Sequence, residues 1–290
     1  STGIDVTGTA VTDGLTVAGN VSVDGGTIKL DGNYPTGTEN VALGNGALSN
    51  LTSGVRNTAI GEIAGQSITE AEEATLVGRQ AGSSLTTGNS NTFIGGRAGL
   101  VATTGTENTA VGQASLFSMT TGSSNTALGR GALLSNTTAS NNTAVGRNSL
   151  FANTTAAGGV AIGTSALAAN TTGSNNTAVG FLSLDANTTG GTNVAVGDNT
   201  LTANTTASNN TAVGSNAMAA NTTGAGNVAV GALALDAVTT QGGNVAIGYA
   251  AATNLTTTGV TAIGYQAMAT STTGYDTVAV GQSVLTACTT

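Results

Sequence analysis

The sequence predicts an all-β protein, a parallel β-solenoid or β-roll built from 17-residue coils. Three observations carry that reading. Glycine recurs at 44, 61, 78, 95, 112, 129, 146, 163, 180, 197, 214, 231 and 248 in steps of 17 residues, then at 264 after a step of 16 and at 281 after a step of 17. A fixed period of this kind is the signature of a repeat architecture. Composition excludes a conventional globular core: of 290 residues, 44 are Gly, 3% are aromatic and 7% are charged, against about 25% charged in an ordinary domain. Yet 39% apolar content with a single Pro is the opposite of a disordered composition.

The best-kept repeats read N-T-A-V-G-x-x-A-L-x-A-N-T-T-G-S-N, as in the stretch that begins at Asn176. With that Asn as position 1, the anchor Gly is position 5. Position 2 is Thr or Val in all 15 copies, and position 4 is Val, Ile or Leu. Position 3 is Ala in 13 copies, the exceptions being Leu76 and Phe93. This alternation places positions 2 and 4 on one face of a β-strand and position 3 on the other. β-Branched residues suit the strand, and Gly at position 5 ends it with a backbone angle that only Gly adopts cheaply. Ala-Leu at positions 8 and 9 predicts a second short strand. Thr fills position 13 in every copy, and a Gly, Ser, Asn or Ala turn closes the repeat. Helix is excluded by the missing i, i+3, i+4 spacing.

Coils stacked in parallel bring each column onto itself about 4.8 Å apart, so fifteen would make a rod of roughly 70 Å. In a coil this thin, the aliphatics at positions 2, 4 and 9 are expected to be buried. The Ala stripe at position 3 is then expected to let another backbone approach, so that three chains pack as a homotrimer. On that reading Val179→Asp buries a charge. Asn136, Asn153, Asn170, Asn187, Asn204 and Asn221 occupy position 12 in consecutive coils and are expected to bond amide to amide as a buried structural ladder. Each also begins an N-T-T sequon, which here follows from the repeat. Outside this block position 12 turns apolar, as at Leu51, Ile68, Leu85, Met119, Val238 and Leu255, and Cys288 shares the column.

Residues 1–39 read as a separate lead-in of short β-strands, joined at Pro35 to a β-roll over 40–290. The chain starts at Ser1 and Thr290 stops mid-repeat, so more chain is expected beyond both ends. The net charge is −8, with six basic residues and none after Arg147. This disfavours nucleic acid, which needs clustered cations, and an anionic membrane surface. No apolar run approaches the ~20 residues of a membrane span. One Cys permits no intrachain disulfide.

Catalysis has no histidine to use, and no enzyme is expected. Neither is a metal or cofactor site: Gly and Asp do not recur together as in calcium β-rolls, and the only Lys, Lys29, sits in no phosphate-binding loop. Glu70, Glu72 and Glu73 cluster in an irregular turn and read as solvated. Ice-binding solenoids present T-x-T, whereas adjacent Thr-Thr points to opposite faces, which favours turn and ladder roles for the Thr column. Tyr249 and Tyr265 follow the anchor Gly in adjacent coils, as Phe181 does earlier, where outward rings can stack and touch a sugar or a partner; packing against a neighbouring chain is the favoured reading.

The N-V-A-I-G at Asn244 to Gly248 and the N-T-A-V-G at Asn176 to Gly180 resemble the N-S-V-A-I-G motif in the head of trimeric autotransporter adhesins. That resemblance covers about residues 40 to 290 and implies a trimeric left-handed parallel β-roll with one motif per coil. The period of 17 and the Asn-Thr-Thr of positions 12 to 14 depart from the family's usual pattern. The lead-in from Gly14 to Gly26, G-L-T-V-A-G-N-V-S-V-D-G-G, is similar to segments of marine bacteriophage tail fibres. The expectation is therefore a structural fibre protein, a rigid trimeric shaft in an extracellular virion appendage that supports host attachment, with other fibre or virion proteins and a host surface glycan or receptor as partners. The alternative is a bacterial cell-surface adhesin that binds glycan or matrix along its sides.

Overall fold

The computed structural model describes residues 39–272 and 275–286. They form a single parallel sheet of fifteen strands, from β1 (Val41–Leu43) to β15 (Val278–Val280), in strict chain order. Each strand has three residues, positions 2 to 4 of the repeat, and one strand occurs per coil. Fourteen complete coils therefore join the first strand to the last. No helix occurs among the described residues. The lead-in of 1–39, apart from its last residue, lies outside the described residues, as does Cys288.

Register follows the period. Val194 pairs with Thr177 on one side and Thr211 on the other, Ala195 with Ala178 and Ala212, and Val196 with Val179 and Val213. The single short step, Val245 to Thr261, keeps the same pairing. The missing residue comes out of the far turn. There Asn244 Nδ2 donates to the Thr257 carbonyl, 13 residues on, where other coils use a carbonyl 14 residues on.

The inward face is the reverse of the one expected. Position 3 points into the coil, and Ala59, Ala110, Ala178 and Ala212 are fully buried. Positions 2 and 4 face outward and are half-buried or exposed: Ile162 is 41% exposed and Leu43 44%. The Ala stripe is therefore the inner wall and not an interchain contact, and Val179 is not a core residue. The physical reason is width. Leu184, Leu201 and Leu235 at position 9 come from the opposite wall and are fully buried. They reach almost to the strand and leave room there only for a methyl group.

The exceptions follow the same rule. Leu76 and Phe93 stand at position 3, and position 9 is Gly65, Gly82 and Gly99 in the coils they touch. A Cβ on Gly65 would lie 2.6 Å from Leu76, and one on Gly99 would lie 2.5 Å from Phe93. Position 8, mostly Ala, and the apolar members of position 12 complete the core.

The second strand predicted at positions 8 and 9 does not form. The chain there is a turn in which positions 7 and 9 are both left-handed, as at Asn199 (φ 50°) and Leu201 (φ 53°). Position 17 is left-handed too, as at Asn209 (φ 62°). A leucine in this region costs of order 1–3 kcal/mol, an amount comparable with the ~1.5–3 kcal/mol its burial supplies. The anchor glycines lie at φ of 129–140°. Their spacing is equally demanding, since a Cβ on Gly180 would lie 2.1 Å from the Gly197 carbonyl oxygen. No other residue fits this column.

Candidate functional site

The functional features of the described residues are columns and faces rather than a pocket of catalytic groups. Among the described residues, no group of three or more His, Cys, Asp or Glu is placed to hold a metal ion. No helix of the described residues is long and apolar enough to cross a membrane.

The position-12 asparagines form the expected ladder. Asn153 Nδ2 donates to Asn136 Oδ1 at 3.1 Å, and the bond repeats from Asn170 to Asn153, Asn187 to Asn170, Asn204 to Asn187 and Asn221 to Asn204. All six side chains are buried. Each Nδ2 also donates to the position-15 carbonyl of its own coil, as from Asn187 to Gly190 at 2.9 Å. The amides of these sequons are thereby enclosed and occupied. The ladder stops at Val238, which leaves Asn221 Oδ1 buried without a donor.

A second, longer ladder at position 1 was not anticipated. Asn193 Oδ1 accepts the Asn210 backbone N–H at 3.0 Å, and Asn193 Nδ2 donates to the Ala207 carbonyl at 2.8 Å. The same pair of bonds recurs at Asn40, Asn57, Asn108, Asn125, Asn142, Asn210, Asn227 and Asn244. These side chains bridge the turn to the strand and one coil to the next. The recurring Asn ahead of Thr-Ala-Val-Gly was the available signal.

The threonine column is committed to the scaffold. Thr171 Oγ1 donates to the Thr188 carbonyl at 3.0 Å, and Thr188 Oγ1 to the Thr205 carbonyl at 3.0 Å. Position-13 hydroxyls are thus engaged coil to coil, while position 14 is exposed in most coils, Thr257 of the shortened coil being buried.

Charge lies at the corners of the coil. Arg56 pairs with Glu72 at 2.8 Å and Glu73 at 3.1 Å, and Arg79 with Glu62 at 2.9 Å. The turn through Glu70–Glu73 is regular, contrary to expectation: the Ala71 carbonyl accepts from Asn57 Nδ2, and Glu73 is left-handed like its column-mates. The Tyr249 and Tyr265 rings stack at 5.5 Å, both half exposed.

Among the described residues, Asp236 is the one carboxylate that burial holds above its ordinary range, offset in part by the nearby amides of Ala237 and Asp236. Its Oδ1 is buried without a hydrogen-bond partner. No family model, curated protein or solved structure matches the chain.

Two outcomes follow from the orphaned acceptors. Val238→Thr places a hydroxyl against Asn221 Oδ1, so its unfolding midpoint should match or exceed the parent's. A loss of about 1–3 kcal/mol, the cost of an unpaired buried hydroxyl, would contradict the ladder. For Asp236 the folded state binds the proton more tightly than the unfolded chain, so its contribution to stability falls as pH rises through the interval between the two pKa values. Asp236→Asn is therefore expected to melt higher than the parent at pH 7, with the gap closing on acidification to below the ordinary carboxylate range.

Proposed function

We propose that the chain is a structural fibre protein, a homotrimeric shaft of a phage tail fibre or similar extracellular appendage that holds a receptor-binding end away from its particle. The observation that carries this is the outer face of the sheet. Position 4 presents Val, Ile or Leu in every coil, and the flanking position 2 presents Val or Thr. Leu43, Ile60, Ile94, Leu128, Ile162, Val213, Val230 and Ile247 are each 37–44% exposed in the single chain. Contiguous apolar stripes of this kind are rare on soluble monomers and mark association. The self-association expected of the Ala stripe is thus transferred to positions 2 and 4. The trimeric number rests on the resemblance of the N-V-A-I-G repeats.

A shaft also suits the chemistry of the repeat. Its side chains are small, mostly uncharged and engaged in coil-to-coil bonds. Sedimentation equilibrium or native mass measurement should give three times the 27.6 kDa chain mass. Val196→Asp with Val213→Asp should release monomers that keep the β spectrum, because these side chains lie on the outer face. A parent that is monomeric at micromolar concentration would overturn the reading. Negative-stain images of the parent particle would show whether the fibre belongs to a virion or a cell surface.

A further inference from the structure

Charge along the chain is segregated. Residues 74 to 184 carry four arginines, Arg79, Arg97, Arg130 and Arg147, and a single acid, Glu107, a net of +3 within a chain of net −8. The four arginines all fall at positions 6 and 7, just beyond the anchor glycine, and so along one corner of the coil. From Arg79 to Arg147 is four coils, about 19 Å. Glu107 stands at position 17, on another turn, where Ser124 Oγ donates to it.

Only Arg79 of the four meets a carboxylate among the described residues. Arg97 Nε donates to Gln80 Oε1 at 3.1 Å and Arg130 Nε to Gln113 Oε1 at 3.3 Å, each amide being the column-mate one coil earlier. Those bonds hold the guanidinium stems and leave both charges without a counter-ion. A groove of about 320 Å³ opens beside them, lined by Gln113, Arg130, Leu134, Asn148 and Phe151. A second, of about 390 Å³, is lined by Arg79, Gly96, Arg97 and Gln113, so Gln113 borders both. The apolar wall comes from position 10, which is Leu100, Phe117, Leu134 and Phe151 in these consecutive coils and Ala168 or Asp185 in the next two.

We propose that this corner binds an acidic polysaccharide, a glycan bearing carboxylate or sulfate groups, laid along the stacked coils. Unpaired guanidinium groups recognise the anionic substituents through charge-assisted hydrogen bonds. The Gln113 and Asn148 amides donate to and accept from sugar hydroxyls. Phe151, which is 36% exposed, offers a ring face and Leu134 an apolar edge to sugar C–H groups. Nucleic acid fits less well. A duplex carries one charge about every 1.7 Å, and its length would run from this short basic window onto acidic coils on either side. This site does not depend on the shaft reading and stands or falls separately from the chain's trimeric state.

The test uses the whole 290-residue chain and titrates dextran sulfate and polygalacturonate oligosaccharides, with neutral dextran and oligo-dT as comparators, by calorimetry at low and high salt. The acidic glycans should bind, with affinity falling as salt rises, and neutral dextran should not. Arg97→Gln/Arg130→Gln/Arg147→Gln should weaken binding about tenfold or more, and Phe151→Ala should weaken it several-fold. Arg56→Gln, on a different turn, should leave it unchanged. Thermal melts of each variant exclude unfolding, and Arg130→Gln alone, at a residue that lines the groove beside Phe151 and whose loss should weaken binding several-fold, serves if the triple variant fails to fold. No binding of either acidic glycan, equal loss in Arg56→Gln, no loss in the arginine variants, or tighter binding of oligo-dT at the same salt would each overturn the proposal.

Discussion

The inside of a coil with a single three-residue strand is a small fixed volume, and two of the side chains in it trade space directly. One comes from position 3 on the strand, the other from position 9 on the opposite turn. The usual division is a methyl group against a leucine, as in Ala178 and Leu184. The other division is a large side chain against none, as in Phe93 and Gly99. Interiors at crystal-like density tolerate neither an unfilled methylene nor an extra one. The shortage of bulky residues in the composition is therefore what filling this volume requires. The left-handed backbone at position 9 belongs to the same constraint, since it turns the leucine inward at a cost its burial offsets.

Stacking imposes the second rule, that each column meets itself every coil. Polar side chains profit where they both donate and accept. Hence asparagine at positions 1 and 12 forms ladders, and threonine at position 13 bonds carbonyl after carbonyl. Like charges gain nothing from such stacking: at about 4 Å two unit charges repel by about 1 kcal/mol even in water. Several charges at exposed corners are stacked on a complement, Arg79 on Glu62 and Arg56 on Glu73, or on an amide, as with Arg97 on Gln80 and Arg130 on Gln113, whereas Arg130 and Arg147 follow one another in the position-6 column. A ladder must also end somewhere, and Asn221 shows the consequence in a buried oxygen without a donor.

Much of this was legible in the residues. The period, the strand at positions 2 to 4, its parallel register, the one-residue deletion and the position-12 ladder all follow from repetition, because in-register stacking converts a sequence column into a spatial one. The inward face did not follow. Alternation separates two faces without saying which is enclosed, and the large β-branched residues at positions 2 and 4 argue for the wrong one. The coincidence of Leu76 and Phe93 with Gly65, Gly82 and Gly99 was the available clue. The left-handed turn was hidden by its leucines, which propensity reads as strand or helix. Glycine and asparagine at the same column, as at Gly131 and Asn148 for position 7, pointed to it. The basic corner is visible in the sequence as charge segregation, but its groove and apolar wall need the fold.

The shared-volume account is tested most directly by a double-mutant cycle at Phe93 and Gly99, read by unfolding stability. Phe93→Ala alone leaves a cavity and should cost about 3–5 kcal/mol. Gly99→Leu alone overfills the coil and should cost about 1–3 kcal/mol or more. Together they recreate the Ala–Leu pair of the other coils, and the double variant should recover most of the loss, with a favourable coupling of about 2 kcal/mol or more. Single losses that add to within about 0.5 kcal/mol would show that the two positions do not share one space, and would contradict the account.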